Sequence, residues 1–167
     1  MKLLPIRRLP DPVLKRPTRQ MTRLDRSIHA LIDALIATMH HYPRCVGLAA
    51  PQAGSSLRVA VMDSSRHPKT IRSQGLIVLI NPRIVANEGA LIQREGCLSI
   101  PDFTGNVRRA TEVVVAALDQ TGAHRQWRLE GFEAVIAQHE IDHLDGILFL
   151  DRVINPATDV FRRTSYG

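Results

Sequence analysis

Aromatic residues are scarce in this chain: one Trp, two Tyr and four Phe, 4% of 167 residues. That scarcity leaves no platform of rings on which bases could stack, and it argues against a single-strand nucleic-acid binder despite the basic charge. Long apolar runs are also missing. No stretch approaches the roughly 20 residues that a membrane span needs. The opening Met1-Lys2-Leu3-Leu4-Pro5-Ile6-Arg7-Arg8 has no apolar stretch long enough for a secretory signal. Only two cysteines are present, Cys45 and Cys97. A cytoplasmic, reducing setting is therefore expected, in which two thiols are free or metal-ligating rather than bridged. There is no internal repeat and no low-complexity segment. With 44% hydrophobic and 23% charged residues, the composition is that of a folding chain. Its length suits one domain spanning 1–167 and is short for two.

What is abundant is arginine, 19 residues against three lysines. The first 26 residues carry eight basic side chains against Asp11 and Asp25, a surplus equal to the net charge of the whole chain, +6. Such a cluster could meet RNA phosphates, for instance on a ribosome. The simpler reading, a solvated basic surface, is favoured because stacking residues are lacking. Neither a membrane nor DNA is expected as a partner.

Pro5, Pro10, Pro12 and Pro17 exclude a long helix from residues 1–24, which read as an irregular arm. From Asp25, a good N-cap, the stripe Ile28, Leu31, Ile32, Leu35, Ile36 and Met39 predicts an amphipathic helix to about Tyr42, ended by Pro43. Residues 45–54 read as a small-residue loop. Strands are predicted at 57–63, at 76–81 with Pro82 as the stop, at 84–93 with a break near Asn87-Glu88-Gly89, at 111–119, and around 126–129. Residues 64–75 read as a polar surface loop. A second helix is expected over 133–144, with Gly146 beyond it. Short strands that do not alternate regularly with the two helices indicate an α+β domain whose sheets are mostly antiparallel, packed around that second helix.

The second helix carries His139-Glu140-Ile141-Asp142-His143. Histidines four apart share a helix face and can grip one ion, while the Glu after the first is placed to take a proton from an activated water. Two imidazoles leave a catalytic metal one protein ligand short. The 24 residues after His143 hold no His or Cys, and their only acids are Asp145, Asp151 and Asp159. Cys97, in Arg94-Glu95-Gly96-Cys97-Leu98-Ser99, is the better candidate, because a thiolate is a strong ligand for iron or zinc. A lone Cys is more usually a small buried hydrophobe.

Glu95-Gly96-Cys97-Leu98-Ser99, His139-Glu140-Ile141-Asp142-His143 and Gly47-Leu48-Ala49-Ala50-Pro51-Gln52 together resemble the three motifs of the peptide deformylases, in the family's order, over about residues 5 to 154. The resemblance implies a hydrolase that removes the formyl group from the initiator methionine of new polypeptides, releasing formate. It implies Cys97, His139 and His143 as ligands of one divalent ion, Glu140 as the proton carrier, and the Gln52 amide and Leu98 N–H as donors to the developing oxyanion. Fe²⁺ is the family's usual metal; Zn²⁺, Ni²⁺ or Co²⁺ also suit the donor set. Val46, Phe132, Val135 and Ile136 would form an apolar pocket for the methionine side chain. Gly47 and Gly96 would allow close backbone approach. Glu95 is expected to pair with Arg109, and Asp142 to orient a ligand imidazole.

Three positions depart from the family's pattern. Cys45 stands where its first motif opens with Gly, so a second thiol near the metal could narrow the cleft, be oxidised or compete as a ligand. Thr104 stands seven residues after Cys97, where well-known bacterial members have an Arg that helps the substrate backbone. The short run after Asn155-Pro156 has no room for the long C-terminal helix with which some members dock on the ribosome. Two other classes compete with the main reading. A zincin-like protease would need a third ligand other than Cys97, and a ribosome- or RNA-binding relative with weakened catalysis would not need the intact Glu140 and Gln52.

Overall fold

Asp25 starts the first helix as its sequence requires. Its carboxylate accepts from the N–H groups of Ser27 at 2.9 Å and Ile28 at 3.2 Å, two donors that the first turn leaves without helical partners. The computed structural model describes residues 3–164. Helix α1, Arg26–His41, ends at Tyr42, whose backbone is extended ahead of Pro43. Its stripe of Ile28, Ile32, Leu35 and Met39 is buried against one face of a sheet.

Eight strands follow: β1 Gly47–Ala49, β2 Val59–Met62, β3 Ile77–Glu88, β4 Leu91–Cys97, β5 Ile100–Arg109, β6 Glu112–Leu118, β7 His124–Glu130 and β8 Val160–Arg162. They form a five-stranded sheet in the order β1-β2-β3-β6-β7 and a three-stranded sheet in the order β4-β5-β8. Every pairing within them is antiparallel. The expected α+β class with mostly antiparallel sheets is what forms. Period-two alternation sorts the larger sheet's side chains. Val59, Val61, Val78 and Ile80 face α1, whereas Met62, Ile77 and Leu79 join Val113, Val115 and Leu129 in the cluster under the second helix. The sheet's first strands are therefore buried on both faces and read as continuous apolar runs.

That second helix, α2, spans Gly131–Leu144. It is buried around most of its circumference, from Ala134 through Ala137 on one side to Glu140, Asp142 and His143 on others. A helix with no solvent face lies in the interior of its fold, and α2 packs between the five-stranded sheet and the β4-β5 hairpin.

Two sequence expectations need correction, and two are sharpened. Pro82 does not stop a strand: β3 runs through it to Glu88. The ladder shifts register between Ile80 and Arg83, so the missing proline N–H falls at a bulge, where it costs no ladder bond. The loop 45–54 contains β1, which pairs with β2. The break expected near Asn87-Glu88-Gly89 is present, as a turn at Gly89 (φ 68°) between β3 and β4, and β4 continues beyond residue 93 to Cys97. The irregular arm contains a short 3₁₀ turn at Pro12–Lys15, and it is strapped down. Thr18 donates through N and Oγ1 to Leu144 O at 2.9 and 2.8 Å, and Asn81 exchanges two 2.8 Å bonds with the Met21 backbone.

Candidate active site

Strand β4 delivers Cys97 to α2 through a tight hairpin. Cys97 pairs with Ile100 across the Leu98-Ser99 turn, while Gly96 pairs with Thr104, so Pro101, Asp102 and Phe103 bulge out of the register. Alternation along β4 then points Glu95 and Cys97 inward and Gly96 outward. Inward lie the two histidines, one helical turn apart with ring centroids 4.9 Å apart. The Cys97 Sγ stands 3.3 Å from His143 Nε2. One ligand atom each from Cys97, His139 and His143 lies within 4.8 Å of the others.

These residues fit a divalent cation. A tetrahedral ion at about 2.3 Å from sulfur and about 2.1 Å from nitrogen separates the two donors by roughly 3.6 Å, close to the distance found. Burial works against a charged sulfur, but His143 and His139 outweigh it and hold the Cys97 thiol well below its ordinary range, in the ligating form. Against burial, the hydrogen bonds that His139 donates to Cys97 and Glu95 push it well above the usual imidazole range. His139 Nδ1 is bonded to Glu95 Oε2 at 2.7 Å, which leaves its Nε2 for the ligand set. His143 Nδ1 is buried with no hydrogen-bond partner among the described residues.

Glu95 anchors a buried chain of charges. Arg109 donates to both Glu95 oxygens, at 2.7 and 3.0 Å, and to Asp142 Oδ2 at 2.6 Å. Arg152 reaches Asp142 from the rim at 2.5 and 2.7 Å. Burial raises Glu95, yet the His139 and Arg109 hydrogen bonds prevail and hold it at about 2. The expected Glu95–Arg109 pair is present. Asp142 does not hold an imidazole. It faces the two arginines, and Glu95 takes the role expected of it, because β4 rather than α2 brings a carboxylate to His139. Arg152 was not singled out from the sequence, since nothing local links it to a residue ten positions earlier.

Glu140 is 4% exposed, and burial pushes its carboxyl up to about 7. Its Oε2 has no hydrogen-bond partner among the described residues, whereas Oε1 lies against Gly47, where an added Cβ would sit only 2.3 Å away. Close approach, not backbone strain, therefore requires glycine at 47. Gln52 is oriented by accepting from Ala49 N at 3.0 Å, and its Nε2 reaches Cys97 Sγ and Ser99 Oγ, each at 3.3 Å. Ser99 is a contributor that sequence reasoning quoted without a role. Its N–H points at Cys97 Sγ at 3.4 Å, and its carbonyl holds the arm through Leu9 N at 3.0 Å.

Leu98 sits on the hairpin turn, partly buried against the α1 cluster. Val46 and Phe132 border the cluster that contains Ile136. Val135 is buried outside that cluster. The His67 ring lies on Phe132 with centroids 4.6 Å apart. Gly96 meets the Arg163 guanidinium and Thr104 on the outward face. Cys45 is outside the ligand cluster: its Sγ donates to Gly47 O at 3.2 Å, and burial with the nearby Glu140 charge pushes the thiol up to about 12. The downstream acids that a protease reading needs are occupied elsewhere: Asp145 with Arg58, Asp151 with Lys15, Asp159 with Asn106.

The family model described as polypeptide deformylase matches residues 3–159. The peptide deformylase of Halothermothrix orenii is 46% identical over 92% of this chain and 96% of its own length, and that of Syntrophobacter fumaroxidans 43% over 98% and 94%. Among solved structures, a peptide deformylase from Legionella pneumophila superimposes with a TM-score of 0.84 at 40% identity, covering 93% of this chain and 88% of that one. A Met-Ala-Ser-bound class I type b peptide deformylase from Acinetobacter baumannii does so at 0.84 and 35%, covering 91% and 99%. The likeness takes in the ligand-bearing strand and helix alike and leaves no ligand outside it: the chain belongs to the polypeptide deformylase family.

Proposed function

We propose that this chain hydrolyses the formamide of N-formylmethionyl polypeptides, releasing formate and a free amino terminus. The single observation that carries the reading is the convergence of Cys97 from β4 with His139 and His143 from α2, beside a buried Glu140. A divalent cation held by these three residues would supply Lewis acidity and lower the pKa of a water towards neutrality. Fe²⁺ is favoured by family resemblance, with Zn²⁺, Ni²⁺ or Co²⁺ as substitutes. An open iron–thiolate site would be oxygen-sensitive.

The chain's own groups do the rest. Glu140, through the Oε2 that has no partner among the described residues, accepts the proton of the attacking water and returns it to the leaving amine. The Gln52 Nε2–H and the Leu98 N–H donate to the formyl oxygen as it gains charge. Gln52 is set for this by its bond from Ala49 N, so little reorganisation is needed at the moment of reaction. Glu95 holds the His139 ring in one orientation, and Arg109 holds Glu95. Val46, Phe132, Val135 and Ile136 receive the methionine side chain, whose unbranched thioether fits an apolar wall. Gly47 and Gly96 let the substrate backbone approach. The test is formate release from formyl-Met-Ala-Ser by protein purified anaerobically with Fe²⁺. No release would remove the reading, and internal cleavage of the peptide would favour a protease.

Two wider expectations accompany it. No helix among the described residues is long and apolar enough to cross a membrane, and both cysteines are free; together with the substrate, these features favour a cytoplasmic setting. Arg7, Arg8, Arg16 and Arg19 are all exposed on the N-terminal arm, which offers a ribosome contact through phosphates. Cosedimentation with ribosomes that weakens with salt, and is lost when these four are neutralised, is the expected outcome. Salt-independent cosedimentation would contradict it.

A further inference from the structure

A cavity of about 220 Å³ lies between the turn that follows α1 and the loop that follows β2, with Arg44, Cys45, Val46, Asp63, Arg66 and His67 among its lining residues. The deformylation chemistry leaves it unused. Asp63 N donates to Val46 O at 2.9 Å and joins the two segments. The turn is tight: Cys45 N donates to Tyr42 O at 3.2 Å, and Arg44 sits in the left-handed region at φ 61°. The loop is held from α2. Glu133, buried on that helix, accepts from Ser64 Oγ at 2.8 Å, Ser73 Oγ at 3.1 Å and Gln74 N at 3.0 Å. The loop is thus fixed to the helix that bears the two histidines.

The charge around this cavity is one-sided. Asp63 is the one acid that lines it, and both of its oxygens are occupied, Oδ1 by Ser65 N at 3.0 Å and Oδ2 by His40 Nε2 at 3.2 Å. Arg44 and Arg66 are exposed, and among the described residues neither guanidinium is in an ion pair or a hydrogen bond. Lys69 stands nearby, its Nζ 5.7 Å from the Phe132 ring centroid. Burial, and then the Lys69 and Arg44 charges, lower His67 below its ordinary value, so these cations share one small region. A recess lined by unpaired cations favours a carboxylate.

The recess adjoins the methionine pocket. Val46 lines it and also borders the cluster that holds Ile136, and His67 lines it while its ring lies on Phe132 at 4.6 Å. In an extended peptide the side chains of residues one and three share a face, about 7 Å apart, and residue two points away. With methionine against Val46 and Phe132, the third residue's side chain comes to the recess. We propose that this cavity is a subsite for the side chain of the substrate's third residue, selective for a carboxylate through Arg44 and Arg66. The inference rests on the deformylase reading for its substrate.

Its test uses metal-loaded protein and two peptides with amidated C-termini, so that the third side chain carries the only difference in charge. At low salt, kcat/KM for formate release from formyl-Met-Ala-Glu should exceed that from formyl-Met-Ala-Lys about five-fold, the order of an exposed ion pair, with the difference mainly in KM. At about 1 M salt the ratio should shrink towards one. Arg44→Gln with Arg66→Gln should bring it near one at low salt, and Arg44→Glu with Arg66→Glu should invert it in favour of lysine, an inversion that a merely structural role could not produce. Binding of the products Met-Ala-Glu and Met-Ala-Lys, measured by calorimetry, should follow the same order. Formate release at equal efficiency from both peptides would overturn the subsite and keep the deformylase reading, as would a glutamate preference that survives the double charge reversal. Absence of formate release, with Met-Ala-Glu still bound more tightly than Met-Ala-Lys, would remove the deformylase reading and keep the subsite.

Discussion

The two sheets divide the labour of this molecule unequally. The five-stranded sheet is apolar on both faces where α1 and α2 cover it, with Val59, Val61 and Ile80 on one side and Met62, Leu79 and Leu129 on the other, all fully buried. The three-stranded sheet has few such residues. Its inward face carries Glu95 and Cys97, joined to Arg109, Asp142 and the two histidines by hydrogen bonds. Stability resides mainly in the first sheet and chemistry in the second, and α2 belongs to both. One of its faces packs Ala134, Ile136 and Ile141 into the aliphatic cluster, and the rest carries His139, Glu140 and His143. A rigid apolar support lets a charged, strongly desolvated site keep its geometry.

Substitutions should separate the two halves. Glu140→Ala should show the largest effect, a loss of roughly 10²–10⁴ in formate release with metal content and thermal midpoint little changed. Equal activity would mean that another group moves the proton. Arg109→Met should follow. It leaves Glu95 and Asp142 as buried carboxylates short of a partner, at a cost of about 3–5 kcal/mol, and it should loosen metal binding as the His139 ring loses its fixed acceptor. Denaturant unfolding and metal analysis of the dialysed protein read both effects. Unaltered stability would show the charge chain to be dispensable. Leu35→Ala, in the apolar half, should cost about 2–5 kcal/mol while activity per folded molecule stays at the parent's level; a fall in that specific activity would mean the halves are coupled more tightly than argued. Asp25→Ala should be mildest, about 1 kcal/mol for a lost helix cap, visible only in the unfolding midpoint.

The sequence was legible wherever a local rule decides the outcome. Asp25 caps α1, the 3.6-residue stripe is its buried face, and four-residue spacing puts His139 and His143 together. Cys97 could be chosen because few other residues could complete the ligand set, and Glu95 with Arg109 because a carboxylate beside the ligands needs a counter-charge. What escaped reading depends on partners distant in sequence. Pro82 passes through β3 because a bulge against β6 absorbs its missing N–H. The segment at Gly47 is a strand only because Met62 and Val61 lie beside it. Asp142 turns from the imidazole because Arg109 and Arg152, on other elements, reach it first. The smaller sheet's third strand, β8, is three residues whose composition announces nothing.

The most direct measurement is X-ray absorption at the metal edge of protein loaded with one divalent ion per chain. The account predicts one sulfur near about 2.3 Å with two imidazole nitrogens and a lighter atom, and loss of the sulfur shell in Cys97→Ala. A shell of nitrogen and oxygen alone in the parent protein would contradict it.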